Sequence, residues 1–75
     1  MNNLSLKELG TQYLQQANII RERINLLKQQ LDSLSENDRQ NMMMRINSLY
    51  ATARDVKDIG NYLFNYYGDA NEKNY

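Results

Sequence analysis

Apolar residues recur along the chain in steps that alternate between four and three. One series reads Leu6, Gly10, Tyr13, Ala17, Ile20, Ile24, Leu27, Leu31, Leu34, and a second reads Met42, Ile46, Leu49, Ala53, Val56, Gly60, Leu63, Tyr67. This heptad spacing keeps one stripe of a helix turned towards a partner helix. Two stripes separated by a polar break predict an all-α, coiled-coil-like antiparallel hairpin. Helix 1 is expected over about 5–33, the turn over about 34–37 and helix 2 over about 36–67. Residues 1–4 are expected to fray and 68–75 to form a disordered tail.

The ends of the helices carry their own signals. Ser5 with Glu8 three residues later makes a capping box, and Leu4 with Leu9 occupies the positions of a hydrophobic staple. Ser35 with Asp38 repeats the cap-and-acid pattern at the second start, with Asn37 as an alternative cap. Gly68 stands where a left-handed residue would close helix 2. The chain has no Pro to break either helix.

Antiparallel pairing is satisfied when facing residue numbers sum to 73. The layers are then Leu31 with Met42, Leu27 with Ile46, Ile24 with Leu49, Ile20 with Ala53, Ala17 with Val56, Tyr13 with Gly60, Gly10 with Leu63 and Leu6 with Tyr67. Four successive layers set a small residue against a large one, which close packing favours. Apolar residues also fall off the stripe. Ile19 and Leu26 stack on one flank of helix 1. Helix 2 places Met43, Tyr50 and Phe64 on one side and Ile59 and Tyr66 on the other. That face is broader than one partner helix covers. It predicts a homodimeric four-helix bundle or a complex with another protein.

With 75 residues the chain makes one domain near the size where a single core is marginal. It contains no Cys and no His, which removes disulfides, thiolate metal sites and the commonest general base. No cofactor and no metal are expected, nor an enzyme. The acids Glu8, Glu22, Asp32, Asp55 and Asp58 sit among basic or amide residues on faces expected to be solvated, and no base stands ready to activate Ser5, Ser33, Ser35 or Ser48. Nine Lys and Arg balance nine Asp and Glu, so bulk attraction to nucleic acid or an anionic membrane is not expected. No apolar run is long enough to span a bilayer, and the first residues lack the pattern of a signal peptide. A cytoplasmic protein is the expectation.

The most distinctive stretch is 54–67, where Arg54 and Asp58 are spaced to pair and Tyr62, Phe64, Tyr66 and Tyr67 crowd the last turns. Aromatic side chains with a polar tip are enriched at protein interfaces. They also stack on single-stranded bases where a basic groove adjoins them, but only Arg54 and Lys57 are near, each beside an acid. The expected function is therefore a non-enzymatic interaction module. Its surface is Ile19, Leu26, Met43, Tyr50, Ile59, Tyr62, Phe64, Tyr66 and Tyr67, with a nucleic-acid-associated or transcription-linked regulator as the alternative.

Arg45–Ile46–Asn47–Ser48–Leu49–Tyr50, Arg54–Asp55–Val56, Gly60–Asn61–Tyr62–Leu63 and Tyr66–Tyr67 together resemble small uncharacterised helical-hairpin proteins of Firmicutes mobile elements and prophages. The resemblance spans most of both helices. It implies a two-helix fold and a bacterial cytoplasmic setting, and no function. Secreted Trp-x-Gly hairpins fit worse, since the chain has no Trp. Sporulation-phosphatase hairpins fit worse too, because their Ser–Gln–Glu–Leu–Asp motif has no counterpart.

Overall fold

A computed structural model describes residues 5–67, with Tyr67 described by its backbone alone. The chain is an all-α helical hairpin. Helix α1 spans Leu6–Gln29, a short 3₁₀ turn spans Leu31–Ser33, helix α2 spans Glu36–Tyr62, and a π turn over Leu63–Tyr67 continues α2. The expectations for Leu4, Gly68, residues 1–4, the 68–75 tail and the Tyr67 side chain fall outside the described residues.

Both helix starts use the caps expected of them. The Glu8 N–H donates to Ser5 Oγ at 3.0 Å, and the Ser5 N–H donates to Glu8 Oε1 at 2.8 Å, closing the capping box. At α2 the Asp38 N–H donates to Ser35 Oγ at the longer distance of 3.3 Å, and Asn37 is not the cap.

The reversal differs in detail from the sequence reading. Helix α1 stops at Gln29, short of residue 33, and the chain tightens into the 3₁₀ turn before Leu34 swings into an extended conformation. Three contacts hold this ending: the Ser33 and Leu34 N–H groups donate to Gln30 O and Leu31 O, and the Ser33 hydroxyl donates to Gln30 O at 2.9 Å. Arg39 Nε also donates to Leu31 O at 3.2 Å, so a side chain from α2 adds a second hydrogen bond to a carbonyl of the 3₁₀ turn. No described residue needs positive φ, and the turn therefore needs no glycine.

The expected seam is observed from Gly10 to Leu63, though only half of it is deeply buried, and Leu6, expected to extend it, is 45% exposed. Gly10, Ala17 and Ile24 on α1, with Ile46, Ala53 and Gly60 on α2, are the buried residues of the two helices. Within each helix they are seven apart. The seam residues between them, Tyr13, Ile20, Leu27, Met42, Leu49, Val56 and Leu63, are half-buried.

The glycines show why. A Cβ placed on Gly10 would lie 2.7 Å from the Phe64 amide nitrogen, 2.9 Å from Gly60 O and 3.0 Å from Leu63 Cβ. One placed on Gly60 would lie 2.9 Å from Gly10 O and from two carbons of Leu14. The two backbones touch here. Because heptads run in opposite directions, the relation of Gly10 to Gly60 repeats at Ala17 with Ala53 and at Ile24 with Ile46. The same progression reaches Leu31 and Arg39, which are joined by the hydrogen bond above.

This corrects the expected layers. Gly10 does meet Leu63, but the space over Gly60 is filled by Leu14, not Tyr13. The innermost layers match small with small and large with large. From the turn outward they run Ile with Ile, Ala with Ala, Gly with Gly, and at the glycines the two backbones are in contact. The physical reason is that the buried position points straight at the partner helix. Residues three and four further on then fall to opposite sides of it.

Candidate interaction surfaces

The direct helix contact leaves two unlike faces. Lys7 Nζ lies 5.1 Å from the centroid of the Phe64 ring, and Lys28 Nζ lies 5.8 Å from that of Tyr50 while donating to its hydroxyl at 3.3 Å. These contacts fix which flank of α1 borders which flank of α2. Lys7, Leu14, Arg21 and Lys28, each four residues on from a buried position or its heptad equivalent, share a face with Met43, Tyr50, Lys57 and Phe64. The half-buried residues Tyr13, Ile20, Leu27, Met42, Leu49, Val56 and Leu63, each three residues on, turn to the opposite face.

The middle of that opposite face is apolar. Beyond it stand Ile19 at 56% exposure, Leu26 at 60% and Ile59 at 45%, together with Gln16, Arg23, Arg45 and Thr52, which are exposed at the heptad positions flanking the seam. The hairpin measures 59 × 24 × 16 Å, with a radius of gyration of 17.0 Å. A compact chain of this length would have about 11 Å. A body one helix thick cannot surround its own seam, so the wetness of these residues follows from the shape.

The surface residues expected from the sequence therefore divide. Ile19, Leu26 and Ile59 border the apolar face. Met43, Tyr50 and Phe64 stand on the lysine-bearing face at 40, 43 and 37% exposure. Tyr62 and Tyr66 stack on each other at the open end, with centroids 5.3 Å apart and planes 22° from parallel. The π turn carries Tyr66, one turn on, back over Tyr62. The heptad pattern gives no hint of this wider turn. Met44, at 68% exposure, was not singled out by the pattern.

Arg54 and Asp58 make no ion pair with each other, contrary to their spacing. Instead Arg54 lines a shallow groove with Arg21, Asn47, Tyr50 and Ala51. An adjoining groove is lined by Arg21, Leu14, Ala17, Asn18 and Lys57. Sequence reasoning missed this cluster because Arg21 lies more than thirty positions away along the chain and only the helix register brings it across.

Among the described residues no group of three His, Cys, Asp or Glu could hold a metal ion, and no helix is long and apolar enough to cross a membrane. No family model, curated protein or solved structure matches the chain.

Proposed function

We propose that the chain is a non-enzymatic protein-interaction module that pairs with a second copy of itself through the apolar face, forming a four-helix bundle. The observation that carries this is the position of the seven half-buried seam residues. They turn to one face and are bordered there by Ile19, Leu26 and Ile59. Two such faces laid together would enclose the Tyr13, Ile20, Leu27, Leu49, Val56 and Leu63 side chains from the second direction that a packed core requires.

A closed two-fold interface uses the same patch on both copies, which suits a single broad face. The resemblance to hairpins of Firmicutes mobile elements supports a bacterial cytoplasmic setting for such a dimer.

Sedimentation velocity tests the reading. The protein is expected to sediment as a dimer that dissociates on dilution, and Leu26→Lys with Ile59→Lys is expected to yield a helical monomer. A protein that stays monomeric at the highest soluble concentration refutes self-association.

A further inference from the structure

We infer that the face opposite the apolar one binds single-stranded nucleic acid along its sugar–phosphate backbone. The chain is neutral overall, yet its charge is not evenly spread. Arg21, Arg54 and Lys57 line two adjoining grooves between the helices, and no acid lines either one. None of the three makes an ion pair with a described residue. Lys7 and Lys28 continue the same flank of α1 in both directions, each held over an aromatic ring. The nearest acids along the sequence do not join them. Asp58 lines a separate hollow with Asn61, Tyr62, Asn65 and Tyr66, and Glu22 and Asp55 belong to neither cationic groove.

The arrangement selects its occupant. From Lys7 to Lys28 the cations extend over about 30 Å at 1.5 Å per residue, so they do not converge on one small anion. They instead match a linear polyanion. Asn18 and Asn47 add amides to the groove walls, and the rings of Tyr50 and Phe64, each under a lysine and partly exposed, hold those cations beside the grooves, so the surface recognises the backbone more than the bases. The major groove of B-form DNA, about 12 Å wide, admits one helix, whereas here the cations are shared between two helices and line the grooves between them. This surface is separate from the face proposed for self-association, so either can fail without the other.

The test is fluorescence anisotropy with a labelled oligothymidine, the same-length duplex, and polyglutamate as a nucleotide-free polyanion. With three phosphates neutralised, affinity for the single strand is expected to fall roughly 20-fold between 50 and 200 mM salt. Arg21→Gln with Arg54→Gln and Lys57→Gln, all exposed positions, is expected to abolish both the binding and the salt dependence while circular dichroism stays unchanged. Three results would overturn the inference: no binding to the single strand at low salt, equal binding by the triple variant, or binding to duplex or polyglutamate as tight as to the single strand.

Discussion

Replacing Gly10 by alanine sets two effects against each other. In an exposed helix interior the change would stabilise by about 1 kcal/mol, because glycine is the poorest ordinary helix former. Here the new methyl would meet the Phe64 amide nitrogen at 2.7 Å and Gly60 O at 2.9 Å. Both are backbone atoms, which cannot turn aside as a side chain can, so α1 and α2 must separate locally. Overpacking of this kind costs about 1–3 kcal/mol, and the rigid neighbours place this site at the upper end. The net expectation is a loss of about 1–2 kcal/mol. For a domain of this size that lowers Tm by about 5–15 °C. Thermal melts followed by circular dichroism at fixed protein concentration provide the assay, since a self-associating protein has a concentration-dependent Tm. Ser48→Ala, at an exposed site on α2, serves as the control for helix propensity alone. A Gly10→Ala variant that melts above the parent would show that the backbones do not touch, and the order of the layers would have to be redrawn.

Other substitutions probe other levels of the structure. Ile24→Ala or Ile46→Ala, at residues 1% and 2% exposed, should each cost about 2–5 kcal/mol in chemical denaturation. Met44→Ala should change stability by less than about 0.5 kcal/mol. Ser5→Ala should cost about 1 kcal/mol, and Ser35→Ala less, because its capping bond is longer and has no reciprocal partner. Equal losses from the two serines would contradict the difference in their caps. Arg39→Met should shift the melt by a smaller amount, about 0.5–1.5 kcal/mol, by removing the second hydrogen bond to the Leu31 carbonyl, which keeps the one from the Leu34 N–H.

Much of the fold was legible in the residues themselves. The alternating four-and-three pattern identified the residues buried between the helices from Gly10 to Gly60 but not Leu14, which covers Gly60, and Ser5 and Ser35 announced both helix starts. What the pattern could not resolve was finer than its period. A register summing to 73 rests on matching side-chain volumes, and volumes alone do not say whether Tyr13 or Leu14 leans over Gly60. The close backbone contact at the glycines decides that. The early end of α1 depends on a hydroxyl and a guanidinium finding carbonyls, which no periodicity encodes. The π turn at Leu63–Tyr67 likewise leaves no mark in residue type. For the surfaces, spacing along one helix separated the flanks of α2 correctly. The grouping of Arg21 with Arg54 and Lys57 needed the second helix in place, because local sequence shows each cation beside an acid and hides its neighbours across the groove.

Both proposed faces follow from one geometric fact, the contact of Gly10 with Gly60. That contact turns the residues three positions on to one side and those four positions on to the other. The chain contains only 3 glycines, so selective glycine labelling gives a nearly empty NMR spectrum in which their α-protons are readily assigned. A cross-relaxation peak between the α-protons of Gly10 and Gly60, persisting when labelled chains are diluted with unlabelled ones, is the expected result. Absence of that peak in the folded protein, or its loss on isotopic dilution, would mean that the two helices of one chain do not meet there.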